Sequence, residues 1–280
     1  MKMEHLQKKI QKYKEQKNIH EICLYILTPC YGGVVHVNYT CALLKTIELC
    51  QELGIKVITE FTKNESLVQR ARNHLIAKAM HNSDTTHIIF IDSDITWSAK
   101  DIINLILHDK EIVGGIYPFK TFYLDKLNDE QEMKKIKEKY NNNKIHQTLS
   151  FPDFLKQNLL KFNLNFMSGQ QRVQNNLLPI RHLATGFMMF QRSCIEKMME
   201  QYAHTKYECD TGQLLGDENK FCYALFDCFI KDGHYYSEDW GFCDRWKNIG
   251  GDIYTDITVT LGHSGMTDYY GKVLSTLELK

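Results

Sequence analysis

The sequence predicts an α/β fold with a central, mostly parallel sheet flanked by helices, and three features predict it. Between Glu21 and Ile116, short β-rich runs alternate with longer helical ones, the rhythm of βαβ units. After its first residue, the run from His87 to Ile91 is wholly apolar, as a strand covered on both faces would be. That run empties directly into Asp92-Ser93-Asp94, which places paired carboxylates at the carboxyl end of a strand, the edge where open α/β sheets bind ligands.

The elements follow in order. Ile22 to Leu27 reads as the first strand, ended by Thr28 and Pro29. After the Gly32-Gly33 loop, a helix runs from about Asn38 to Leu53 and is closed by Gly54, with the strand Ile55 to Thr59 behind it. Ser66 followed by Gln69 has capping-box spacing and opens a helix to about His81. A helix from Ser98 to His108 and the strand Ile112 to Ile116 come after the carboxylates. From about Lys120 to Pro179 the rhythm breaks into a charged helical stretch and an Asn- and Gln-rich run, read as an insertion or a mobile substrate-facing region. Regular structure resumes at His182 to Phe190, with helices at Ser193 to Tyr202 and Ser237 to Asn248 and a closing strand near Ile253 to Leu261.

At 280 residues and 43% hydrophobic, the chain can bury a core of enzyme size, as one large domain or one domain carrying an insertion. Basic and acidic residues balance at 34 each, so no global field recruits nucleic acid, and phosphate recognition has to be local. The nine cysteines include no Cys-x-x-Cys pair, which favours reduced thiols packed as small core residues in a cytoplasm-like compartment over a zinc site. No segment has the length and apolarity of a membrane span, and the Lys-rich first twenty residues fit a solvated helix and not a signal peptide.

Several side chains could carry chemistry. At about 100° per residue, Leu67, Val68, Ala71, Leu75 and Ala79 share a helix face, and Arg72 projects beside it, paired either with an acidic side chain or with a ligand diphosphate. Arg70 and Asn73 fall on another side, where ordinary surface residues also sit. Asp239 heads an apolar helix face, suited either to stabilising the helix amino terminus or to acting as a general base, with Glu238 at the margin. His263, in Leu261-Gly262-His263-Ser264-Gly265, is either a hydrogen-bonded structural residue or a metal ligand.

Asp92-Ser93-Asp94-Ile95-Thr96 superficially matches the first motif of haloacid-dehalogenase-like phosphatases, with Asp92 as nucleophile, although that family usually begins at this motif. The broader resemblance is to metal-dependent GT-A glycosyltransferases, especially the family-2-like proteins of bacteriophages and large DNA viruses. Four ordered segments carry it: Gln69-Arg70-Ala71-Arg72-Asn73; Phe90-Ile91-Asp92-Ser93-Asp94; Ala184-Thr185-Gly186-Phe187-Met188; and Ser237-Glu238-Asp239-Trp240-Gly241-Phe242-Cys243 with Leu261-Gly262-His263 beyond it.

The resemblance implies a nucleotide-diphosphate sugar donor and a glycan, protein or lipid-linked hydroxyl acceptor. It implies a Mn²⁺ or Mg²⁺ ion held by Asp92, Asp94 and His263, with Asp92, Ser93, Arg70, Arg72 and Asn73 on the donor. Thr28 and Glu60, near the ends of the first two strands, are nucleotide contacts on position alone. Asp239 matches the catalytic base of inverting members, with Glu238 the alternative. Tyr117, Phe187 and Trp240 would offer flat surface to an acceptor sugar, or else are plain core. The implied organisation is a Lys-rich helix over 1–20 and one GT-A catalytic domain over 21–280, with 120–180 as insertion, acceptor side or lid, acting in the cytoplasm, a host's if viral. A non-catalytic sugar- or nucleotide-binding module is the remaining alternative.

Overall fold

The computed structural model describes residues 3–167, 169 and 172–277; positions 1, 2, 168, 170 and 171 of the two segments set apart in sequence lie outside the described residues. In chain order the elements are α1 (Met3–Lys14), β1 (Cys23–Cys30), α2 (Val37–Leu53), β2 (Lys56–Lys63), α3 (Val68–His81), β3 (His87–Ile91), β4 (Ile95–Thr96), α4 (Ala99–Leu107) and β5 (Ile112–Gly114). The middle of the chain forms β6 (Pro118–Phe122), α5 (Glu130–Asn142), α6 (Phe151–Asn158), β7 (Leu160–Phe162) and β8 (Asn165–Phe166). Then come β9 (Leu177–His182), β10 (Phe187–Gln191), α7 (Arg192–Gln201), β11 (Phe229–Lys231), β12 (His234–Tyr236), α8 (Glu238–Asn248), β13 (Tyr254–Asp256), β14 (Leu261–Ser264) and β15 (Asp268–Gly271).

The fold is α/β, with an eight-stranded sheet in the order β2-β1-β3-β10-β5-β13-β9-β8. β1 pairs parallel with β2 and β3, and β5 parallel with β13, so the main direction is common. β10 enters antiparallel between β3 and β5, which makes the sheet mixed at its centre. The apolar run of β3 has the expected cause: Ile88 and Phe90 pack in the core beneath α3, α7 and α8, while Ile89 and Ile91 pack on the other face with residues of α2 and α4.

Several local expectations need correction. Ser66 does not cap α3; the N-cap is Leu67, and Glu65 Oε1 accepts its backbone N–H at 3.1 Å. Leu67 and Val68 are exposed, so the buried face of α3 starts at Ala71, and Asn73 is buried with it. The closing strand divides: β13 joins the main sheet, whereas β14 joins a small antiparallel sheet of order β15-β14-β4. α1 is not fully solvated, because Leu6 is 1% exposed within the core on the α2 and α4 side.

Among its described residues, the segment after Tyr117 forms β6, α5, α6, β7 and β8. β6 pairs antiparallel with β7, and β8 with β9, tying both ends of the segment to strands. Ile136 of α5 and Phe154 of α6 are buried, and Asn158 Nδ2 donates to the Ser275 carbonyl at 3.2 Å.

Candidate active site

The Asp92-Ser93-Asp94 turn is pinned by backbone from four parts of the chain. Asp92 N–H donates to the Gly186 carbonyl at 3.1 Å, continuing the β3–β10 ladder, and Ile95 N–H closes the turn on the Asp92 carbonyl at 3.0 Å. His36 N–H donates to the Ser93 carbonyl at 3.0 Å, and Ser264 N–H to the Asp94 carbonyl at 2.8 Å. Register does the rest: in the β14–β4 pair His263 lies opposite Ile95, so a residue distant in sequence arrives beside Asp94.

The two carboxylates diverge. Asp92 Oδ1 receives Arg72 Nη2 at 3.0 Å, while Asp94 Oδ2 faces His263 Nε2 at 3.5 Å and Lys120 Nζ at 2.5 Å. Burial works against the Asp94 carboxylate, but a protonated His263 ring and the Lys120 ammonium outweigh it and hold its pKa down at about 2. Arg72 also gives Nε to Glu238 Oε1 at 3.3 Å, and its guanidinium lies 5.1 Å over the Phe90 ring. Its Nη1 is buried with no hydrogen-bond partner among the described residues. Burial opposes the Arg72 charge; Asp92 and Glu238 more than offset that and keep it protonated.

Glu238 also accepts from Thr185 Oγ1 at 3.5 Å, which brings the segment before β10 and the start of α8 into the same cluster. Next to it, Asp239 Oδ1 accepts the Ser237 hydroxyl and, at 2.8 Å, the Trp240 backbone N–H. Sequence left open whether burial or the helix end would dominate at Asp239. Burial dominates, reinforced by Glu238, and the pKa is raised above the ordinary carboxylate value.

Tyr117 lies among these groups, buried, with its ring edge-on to His263 at 5.1 Å; burial first, then Asp92 and Asp239, push its phenol pKa up. The backbone of Gly186 approaches the same ring so closely that an added Cβ would lie 2.7 Å from the Tyr117 hydroxyl.

His263 is suited to metal ligation by its tautomer. Nδ1 lies 2.8 Å from the Pro118 carbonyl, which can only accept, so the neutral ring carries its proton there and offers Nε2 as a lone pair toward Asp94. One imidazole nitrogen and one carboxylate oxygen thus face each other, a donor pair that fits Mn²⁺ or Mg²⁺ ions that keep waters and take phosphate oxygens in their other positions. Asp92 does not join them, because its carboxylate is turned to Arg72, and among the described residues no group of three or more His, Cys, Asp or Glu is assembled for a metal. The cluster sets four carboxylates, Asp92, Asp94, Glu238 and Asp239, against two basic side chains, Arg72 and Lys120. That imbalance favours a further positive charge.

No protein-family model matches the chain, and no curated protein matches it. Among solved structures it is similar to A197 from STIV, at 12% identity over 87% of this chain and 86% of that one, with a TM-score of 0.42. Likeness at that level leaves function to the site geometry.

The remaining sequence-predicted residues divide. Ser93 stays in the turn, half-buried. Thr28 is fully buried, with its hydroxyl 2.5 Å from the Tyr39 hydroxyl, so it faces the interior and not a nucleotide. Glu60 lies 3.7 Å from Lys78, and Arg70 is paired with Glu65 at 2.7 Å, both outside the Asp92 and Asp94 contacts. Asn73 accepts the Phe226 backbone N–H at 3.0 Å, a structural bond between α3 and the loop before β11. Phe187 is fully buried on the central strand β10 against Trp97, which removes it as an acceptor platform. Trp240 is half-buried and stacks on His182 at 4.3 Å, so one of its faces is already covered. Sequence reasoning missed Lys120 and Pro118, which lie outside every motif and reach the site only because β6 packs beside β14.

Proposed function

We propose that this chain is a divalent-metal-dependent glycosyltransferase of the GT-A kind, which moves a sugar from a nucleotide diphosphate to a hydroxyl acceptor with inversion. One observation carries the reading: Asp94 meets His263 at 3.5 Å while Arg72, from a third segment, bridges Asp92 and Glu238, so segments far apart in sequence converge on one acidic edge of the sheet.

In this reading Asp239 is the base. Its Oδ1 is fixed by Ser237 and Trp240, leaving Oδ2 to take the proton of the acceptor hydroxyl, and burial gives the carboxylate the raised proton affinity the task needs. As the acceptor oxygen bonds to the anomeric carbon, the bond from that carbon to the diphosphate oxygen breaks, and the diphosphate leaves as an anion. Arg72 holds positive charge beside the turn, with its Nη1 donors unpartnered among the described residues. Asp94 and His263 Nε2 would hold a Mn²⁺ or Mg²⁺ ion, whose chemistry is to offset charge on the diphosphate.

The test is a panel of nucleotide sugars incubated with Mn²⁺ or with a chelator, following release of nucleoside diphosphate. Metal-dependent release from one donor, lost in Asp94→Ala, is expected. Turnover of a generic phosphate ester with no donor hydrolysis would favour the phosphatase alternative and overturn the reading; donor binding without hydrolysis would leave a non-catalytic module.

A further inference from the structure

Lys120 is the unexpected occupant of this site. It sits on β6 two residues after Pro118, so one strand supplies both the carbonyl that fixes the His263 tautomer and the ammonium on Asp94. Its contact is to Asp94 Oδ2, the same oxygen that faces His263 Nε2. Its stem crosses Gly265, where an added Cβ would come within 3.1 Å of Lys120 Cδ, so a residue without a side chain makes room for the lysine to reach inward. With 37% of its side chain exposed, Lys120 is free to leave by rotation of its own stem.

A divalent ion seated between Asp94 Oδ2 and His263 Nε2 would lie beside the Lys120 ammonium on the same oxygen, so the two cations repel each other and compete for that carboxylate. We propose that Lys120 is the resident counter-ion of Asp94, competing with the metal and released onto the incoming diphosphate, so that metal and donor bind together and neither binds well alone. This rests on the glycosyltransferase reading above and adds to it a specificity-determining residue. The diphosphate removes the competitor as it arrives, and in doing so it keeps an ammonium for its own charge. Linkage then requires that the metal raise diphosphate affinity by the same factor by which the diphosphate raises metal affinity.

The experiment is a Mn²⁺ titration followed by electron paramagnetic resonance, on wild type, Lys120→Met, Lys120→Gln and Asp94→Asn, with Mn²⁺ alone and with Mn²⁺ plus inorganic pyrophosphate. Folding of each variant is checked by circular dichroism. With Mn²⁺ alone, both lysine variants should bind about tenfold tighter than wild type, and pyrophosphate should enhance wild type by about tenfold but the variants far less, within the range of ordinary site coupling. Lysine variants that bind Mn²⁺ no tighter than wild type, or keep its full pyrophosphate enhancement, overturn the proposal; if Asp94→Asn still weakens Mn²⁺ binding, the metal reading survives that result. Absence of Mn²⁺ binding in every protein, with and without pyrophosphate, overturns both.

Discussion

Arg72 and Asp92 meet at 3.0 Å, the arginine side chain only 3% exposed and the carboxylate 31%. The guanidinium arrives from α3, the carboxylate from the end of β3, and the same arginine reaches Glu238 on the first turn of α8. Sequence reasoning left Arg72 between an acidic partner and a ligand diphosphate. Among the described residues the structure supplies two acidic partners and still leaves Nη1 without a hydrogen bond.

Arg72→Met should therefore cost both stability and activity. Removing one member of a buried ion pair strands its partners, here Asp92 and Glu238, and the expected loss is roughly 3 kcal/mol, at the lower end for a buried pair because Asp92 still touches solvent. Donor turnover should fall below detection. Urea denaturation measures the first, and nucleoside diphosphate release the second. A fully stable Arg72→Met protein would mean that the two ion pairs contribute nothing net.

Asp239→Asn should separate stability from chemistry. A carboxyl whose folded pKa is raised carries a cost that is absent below its unfolded pKa and complete once pH exceeds the folded value, so stability falls as pH rises through that window. Asparagine keeps an oxygen for Ser237 and Trp240 and removes the charge. The expected outcome at neutral pH is a melting temperature at or above wild type, with transfer reduced roughly 10²–10⁴-fold, the contribution of a general base. Wild-type turnover should rise with pH through the raised Asp239 pKa. Normal turnover in Asp239→Asn would remove it as the base.

Much of this was legible in the sequence. The β3 run was readable because a strand covered on both faces has to be apolar throughout, and Gly54 marked the end of α2 because the chain turns there with φ at 74°. Arg72, Asp94, Glu238 and His263 were readable as chemistry-bearing types in an ordered pattern. What local pattern does not carry is pairing between distant strands. Nothing near Phe187 says that β10 runs antiparallel between β3 and β5 and buries that ring, nor does anything near Ile253 say that β13 and β14 part into different sheets. Lys120 was invisible for the same reason, its contact with Asp94 depending on where β6 packs.

Away from this cluster, His108 Nε2 lies 2.8 Å from Asp256 Oδ2, and Thr258 donates its backbone N–H and hydroxyl to Asp256 Oδ1. Burial works against the Asp256 charge, yet His108 and Thr258 outweigh it and lower the pKa. The resulting stability is present above the unfolded carboxylate pKa and is lost as pH falls through the lower folded value. Asp256→Ala should cost about 3 kcal/mol at neutral pH, by stranding His108 and both Thr258 donors, and the deficit should shrink toward acid pH. Denaturation midpoints at several pH values check this; a deficit independent of pH would show that lost packing, not charge, is responsible.

Gly186→Ala tests how tightly the site is built. The alanine methyl would fall 2.7 Å from the Tyr117 hydroxyl and 2.8 Å from its ring carbons, and a buried tyrosine ring has no flexible end to swing aside. Tyr117, whose ring meets His263 edge-on at 5.1 Å, must then shift, or Gly186 must retreat and weaken its carbonyl's bond to Asp92 N–H. The first movement disturbs the contact with His263, the second the Asp92-Ser93-Asp94 turn. The expected outcome is a folded protein destabilised by about 1–3 kcal/mol, the usual cost of overpacking, with a larger proportional loss of Mn²⁺ affinity than of stability. Unchanged Mn²⁺ binding in a protein of that reduced stability would show that Tyr117 and Gly186 pack the core without setting the position of His263.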